Sequence, residues 1–190
     1  MAKTIGVLAV QGAFIEHIHA LRQLGVNTFE IRQKSDLEKN SPDGIILPGG
    51  ESTVMGKLLH ELDLFIPLKD RIASGMPIFG TCAGVILLAK EIDNDPTTYF
   101  SAMDIAVERN AYGRQLGSFQ AYEEFSDLGK VPMTFIRAPK ITKVFGDTEI
   151  LSTVNNDIVA ARQNNMLATT FHPELSDNPV IHKYFLDTFL

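Results

Sequence analysis

Basic side chains are in deficit: 17 Lys and Arg stand against 23 Asp and Glu, a net charge of -6. That balance argues against a nucleic-acid footprint and against a polybasic patch for an anionic membrane. Cysteine is nearly absent. Cys82 stands alone in 190 residues, so it has no partner for an internal disulfide and no companions for a thiolate zinc site. A lone thiol suits a reducing compartment, and the cytoplasm is the expected location. Long apolar runs are missing as well. The stretch 76–89 contains polar Thr81 and falls short of the roughly 18 apolar residues that a membrane span needs. The short apolar run 5–10 ends at Gln11 with no small-x-small cleavage site after it, so no secretory signal is expected. No repeat, low-complexity tract or linker interrupts the chain, and its length suits one domain, 1–190.

What is present reads as strands alternating with helices. Residues 4–10, 26–31, 44–47 and 76–79 are β-rich runs. Between the first two, Phe14, Ile18, Leu21 and Leu24 recur at helical spacing until Gly25. Residues 54–62 and 65–73 read as helices between the last two. This order predicts a mostly parallel sheet with helices on both faces. Past Lys90 the pattern changes to short strand candidates at 105–107, 133–136, 143–145, 150–154, 158–161 and 166–170, so the second half is expected to carry antiparallel hairpins. Asn155-Asn156-Asp157 reads as one hairpin turn, and 180–190 as a closing amphipathic helix.

Cys82 sits within Gly80-Thr81-Cys82-Ala83-Gly84, between the strand 76–79 and the helix 83–89. A strand that turns at once into a helix through G-x-C-x-G holds its central side chain at the tip of a sharp bend, a nucleophile elbow. The helix N-terminus favours a thiolate there, and the N-H of Ala83 is placed to donate to a developing oxyanion. A buried structural cysteine is the commoner fate of a free thiol, but glycines on both sides at this junction outweigh it.

A nucleophile needs a base. His17, His19, His60 and His182 lie in helical segments and read as solvated surface residues. His172 differs: it follows the strand 166–170 within Thr170-Phe171-His172-Pro173-Glu174, and the proline disfavours a helical conformation there. In an extended segment side chains two apart share a side, so Glu174 reaches the His172 imidazole and fixes its tautomer. Nucleophile, base and orienting acid then follow in the order Cys82, His172, Glu174. A second glycine-rich turn, Pro48-Gly49-Gly50-Glu51-Ser52-Thr53, follows the strand 44–47. Loops at the carboxyl ends of neighbouring parallel strands share a crevice, so the Gly50 N-H is a candidate second oxyanion donor, while Ser52 or Thr53 caps the helix that follows. No P-loop lysine follows at the required place, which argues against phosphate binding.

Together the elbow, the Pro48 turn and Phe171-His172-Pro173-Glu174 resemble the class I (triad) glutamine amidotransferases. Within that class, Leu8-Ala9-Val10-Gln11-Gly12-Ala13 with Glu16-His17, Val107-Glu108-Arg109-Asn110-Ala111-Tyr112-Gly113-Arg114-Gln115, and Phe135-Ile136-Arg137-Ala138-Pro139 are most similar to the glutaminase subunits of pyridoxal 5'-phosphate synthases. The resemblance covers nearly the whole chain, least closely at 93–103. It implies a three-layer, flavodoxin-like α/β fold and hydrolysis of L-glutamine through a glutamyl thioester on Cys82, with no cofactor and no metal. It also implies glutamine-binding roles for Gly50, Glu51, Ser52, Arg109, Ile136 and Arg137. A bidentate arginine suits an α-carboxylate, with Arg109, Arg114 and Arg137 as the candidates. The partner implied is a (β/α)8-barrel synthase subunit that receives the ammonia through a channel, with twelve glutaminases on a dodecameric core and the first helix, including His17, near the interface. Two rival readings stand beside this one: a class I glutaminase serving another acceptor, and a non-enzymatic redox-sensing module in which Cys82 is oxidised rather than acylated.

Overall fold

The computed structural model describes residues 3–113 and 117–190; Arg114 and Gln115 lie outside the described residues. Strand β1 (Thr4–Leu8) is followed by α1 (Phe14–Gln23), β2 (Asn27–Ile31), α2 (Lys34–Lys39) and β3 (Gly44–Leu47). Next come α3 (Ser52–Glu61), α4 (Phe65–Ala73), β4 (Ile78–Thr81) and α5 (Ala83–Leu88). The second half contributes β5 (Ala89–Ile92), β6 (Met103–Glu108), β7 (Ser118–Glu124), β8 (Lys130–Ile136) and β9 (Lys140–Val144). It closes with β10 (Glu149–Val154), β11 (Asp157–Gln163), β12 (Met166–Thr169) and α6 (Val180–Phe189).

The main sheet runs in the order β2-β1-β3-β4-β12-β11-β9-β6-β5, with β10 paired to β11. Its β2-β1-β3-β4-β12 part is parallel throughout. Antiparallel pairing begins at β11, and β7 and β8 form a separate antiparallel ribbon. The alternating first half therefore builds a parallel sheet, as expected from sequence; the second half supplies the expected hairpins at β7-β8 and β10-β11-β12, but β11-β9-β6 pair antiparallel across longer connections and the outermost pair β5-β6 is parallel. The Asn155-Asn156 turn has positive φ at both residues, 50° and 68°, the conformation of a tight two-residue hairpin connection. The sequence pattern does not predict α2 or β5, only 6 and 4 residues long, or β7, which alternates exposed with half-buried residues and has none fully buried. It also groups β12 with the hairpins; β12 is antiparallel to β11 but parallel to β4, and that second pairing positions the site.

Strand side chains alternate between the two faces. Ile45, Leu47 and Ile78 point into one core with Met55, Leu59, Leu68 and Val85. Ile46 and Phe79 point into the other, with Leu21 of α1 and Ile181 and Phe185 of α6. Helices α3, α4 and α5 thus cover one face of the sheet, and α1 and α6 the other. Burying each aliphatic or aromatic side chain of this size stabilises the fold by roughly 1.5–3 kcal/mol.

Candidate active site

The elbow forms where β4 ends. Cys82 has φ 48° and ψ -105°, a backbone conformation that costs a non-glycine residue of order 1–3 kcal/mol and clusters at functional positions. The bend is held by the Cys82 N-H, which donates to the Thr169 carbonyl of β12 at 2.8 Å. Gly84 makes it sterically possible, because a Cβ there would overlap the Leu47 carbonyl of β3.

The register of β12 against β4 pairs Thr169 with Thr81, so the two strands deliver Phe171-His172 and Cys82 to the same end of the sheet. The His172 N-H is fixed by the Thr134 carbonyl of β8 at 2.8 Å. Glu174 lies in a 3-10 turn, Pro173–Leu175, rather than in the extended segment expected from sequence. It reaches the same target, with Oε1 2.7 Å from His172 Nδ1, and is buried. Cys82 stands beside the ring: a Cβ on Gly49 would lie 3.0 Å from His172 Nδ1 and 3.2 Å from Cys82 Cβ. Burial works against a charged ring, but hydrogen bonds and charge interactions with Cys82 and Glu174 outweigh it and push His172 up to about 10. The ring is thereby set to hold a proton beside sulfur at neutral pH. Gly49 leaves the imidazole its room, since a Cβ there would overlap His172 Cε1.

Cys82 and His172 sit in a cavity of about 320 Å³ that Gly50, Glu51, Ser52, Ala83, Arg109, Ile136 and Arg137 also line. The sequence-derived residues therefore converge, with Glu174 behind His172 rather than in the wall. A larger depression of about 780 Å³ lies against α3 and α4, and neither Cys82 nor His172 lines it.

Arg109 is fixed in that wall. Its Nη1 donates to Ser52 Oγ at 3.0 Å and Thr53 Oγ1 at 2.9 Å, and its Nη2 to Tyr99 Oη at 3.2 Å. Asp95 pairs with it at 3.3 Å. Two expectations change here. Ser52 and Thr53 do not cap α3, whose start makes no side-chain capping bond; their hydroxyls accept from Arg109 instead. The poorly matched stretch 93–103 supplies Asp95 and Tyr99, and so shapes the site. Arg137 is exposed, with positive φ of 42° and Glu51 at 3.6 Å. Gln11 and Asn110 line the cavity without having been singled out as site residues, and Gln11 Oε1 accepts from the Glu51 N-H at 2.8 Å.

The histidines divide otherwise than expected. His19 and His60 are exposed, but His17 and His182 are fully buried. His17 therefore presents nothing to a partner on the outer face of α1, where Ile15 and Glu16 are exposed. The signal was in the periodicity: His17 precedes Leu21 by one helical turn, and His182 stands at i-3 from Phe185, both on inward faces.

The family profile of the SNO glutamine amidotransferases matches residues 7–190 of this chain. The chain belongs to the SNO glutamine amidotransferase family. Among its relatives is the pyridoxal 5'-phosphate synthase subunit PdxT of Streptococcus pneumoniae, 55% identical over 185 residues that cover 96% of this chain and 95% of the relative. The PdxT subunit of Desulfitobacterium hafniense is 56% identical over 184 residues, covering 97% and 92%. A solved structure described as a glutamine amidotransferase superposes with a TM-score of 0.90 at 43% identity, covering 96% of this chain and 97% of that one. A structure of PurLQS from Thermotoga maritima, at 15% identity and a TM-score of 0.73 over 98% of this chain and 99% of that chain, shares the fold. Among the described residues of this family member, no helix is long and apolar enough to cross a membrane.

Proposed function

We propose that the chain hydrolyses L-glutamine to L-glutamate and ammonia as the glutaminase subunit of a pyridoxal 5'-phosphate synthase. The observation that carries this reading is that Cys82 and His172 line one polar cavity side by side, with Glu174 bonded to His172 from behind. Relatives named PdxT at 55% and 56% identity support the choice among glutaminases.

In this reading the Cys82 thiolate attacks the amide carbon of the glutamine side chain, and the carbonyl becomes an oxyanion. The Ala83 N-H belongs to the first turn of α5, where no intrahelical acceptor exists, and it serves as one donor to that oxyanion, with the Gly50 N-H as the second. Protonated His172 gives its proton to the nitrogen as the C-N bond breaks, releasing ammonia and leaving a thioester. Neutral His172 then takes a proton from water, whose oxygen attacks the thioester. Glutamate departs and the sulfur regains its thiolate form beside the imidazolium. Glu174 holds the ring in the tautomer that presents Nε2 to sulfur. Arg109 and Arg137, with Glu51, Ser52 and Ile136, hold the amino-acid end of the substrate. The ammonia passes to a (β/α)8-barrel synthase subunit, with twelve glutaminases on a dodecameric core in the cytoplasm.

Glutamate release, measured with and without the synthase subunit, tests the assignment. Activity is expected to depend on Cys82, and full activity in Cys82→Ala refutes it. A glutamine-analogue electrophile that labels Cys82 stoichiometrically separates this reading from redox sensing, and the synthase that co-purifies with the chain separates it from glutaminases serving other acceptors.

A further inference from the structure

The polar chain does not end at Glu174. Its Oε1 is taken by His172 Nδ1, but its Oε2 is buried with no hydrogen-bond partner. His17 Nε2 lies 3.5 Å from that oxygen and 3.1 Å from Thr81 Oγ1. On its other side, His17 Nδ1 is 2.8 Å from His182 Nε2. None of the hydrolytic steps uses these two histidines, yet α1 and α6 each turn one inward to meet behind the elbow.

Their protonation follows from their surroundings. Burial, the neighbouring His182 and His172 hold His17 well below its ordinary range, and burial holds His182 down to about 4. Both rings are therefore neutral at pH 7, with one proton each, and the 2.8 Å contact contains one proton. Two arrangements satisfy that contact. If His17 Nδ1 donates, the proton of His182 must sit on Nδ1, which is buried without a partner, and a lone pair of His17 Nε2 would face a carboxylate. An orphaned buried donor costs about 1–3 kcal/mol, and the lone pair adds repulsion. If His182 Nε2 donates instead, the orphan is a bare acceptor, the better tolerated of the two. His17 then carries its proton on Nε2, directed at Thr81 Oγ1 and Glu174 Oε2.

We propose that His17, with its tautomer set by His182, is a positioning residue that extends the triad on its carboxylate side. The inference rests on the Cys82-His172-Glu174 reading and deepens it. A neutral donor steadies the second carboxylate oxygen without cancelling the charge that His172 needs, which a lysine or arginine in the same place would do. The titratable groups facing His17 are Glu174 from the 3-10 turn, His182 from α6 and His172 beyond Glu174. Thr81 from β4 and the edge of Phe79 complete its surroundings.

The first test is long-range ¹H–¹⁵N NMR of the imidazoles in the full chain near pH 7, which needs no variant. Protons on Nε2 of both His17 and His182 are expected; a proton on His17 Nδ1 overturns the proposal. The second compares His17→Leu and His17→Gln in glutamine hydrolysis with the synthase subunit present. The leucine variant is expected to lower kcat by up to about tenfold, the worth of one buried hydrogen bond, with KM unchanged and the His172 titration displaced. The glutamine variant, which keeps an N-H donor, is expected to recover part of the loss. A folded His17→Leu protein with wild-type kcat and wild-type His172 titration overturns the proposal while leaving the triad intact. Unimpaired hydrolysis in His172→Asn removes the triad reading itself, and this inference with it.

Discussion

Thr81 and Thr169 pair in register across the parallel strands β4 and β12. That single relationship brings Cys82, just past one strand, to His172, just past the other. If sulfur is the nucleophile, Cys82→Ala should lose glutaminase activity by about 10³-fold or more while melting close to the wild type, since only one sulfur atom is removed. Steady-state glutamate release and thermal unfolding, measured on the same preparations, check both halves.

Glu174→Gln should lower the titration of His172. Burial alone depresses the ring, and it reaches about 10 only through its hydrogen bonds and charges with Cys82 and Glu174. Removing the Glu174 charge shifts His172 down, so the alkaline limb of the pH-activity profile should move to lower pH. An NMR titration of the ring would show the same displacement; an unmoved titration would mean that Glu174 does not set it.

Acid should destabilise the fold through the buried histidines. His182 is held down to about 4 and His17 well below its usual value, against about 6.5 in an unfolded chain. A depressed folded value means that the unfolded state binds the proton first. The stabilising contribution is therefore complete above about pH 6.5 and is lost as pH falls towards 4. Urea unfolding across this range should show a shallower loss in His182→Gln than in the wild type.

Arg109→Lys should raise KM for glutamine by about tenfold or more, with a smaller effect on kcat. The planar guanidinium serves Ser52, Thr53, Tyr99 and Asp95 together, which a lysine cannot do, and charged hydrogen bonds contribute about 1.5–3 kcal/mol each. Tyr99→Phe should show a weaker change in the same direction, by initial-rate kinetics.

Gly84→Ala should be poorly tolerated. The added methyl would overlap the backbone carbonyl of Leu47, which has no rotamer with which to yield, so a loss of about 3 kcal/mol or more is expected. Chemical denaturation should find it far less stable than Ala83→Gly.

Sequence alone determined the alternating first half, the elbow at Cys82 and the His172-Glu174 pair, because those features depend on local chemistry: hydrophobic period, glycines at a tight bend and short-range reach between side chains. The family followed from the same stretches. Only the tertiary structure decided what depends on approach between distant segments. The β4-β12 register joins residues 82 and 172; the 93–103 stretch, which has no strong pattern of its own, closes on Arg109 through Asp95 and Tyr99. His17 and His182 mark the division most sharply. Their helical positions already placed them on inward faces, but a polar ring on such a face says nothing about what it will meet. Packing α1 and α6 on the same side of the sheet sets the two rings 2.8 Å apart behind Glu174, and no local rule contains that distance.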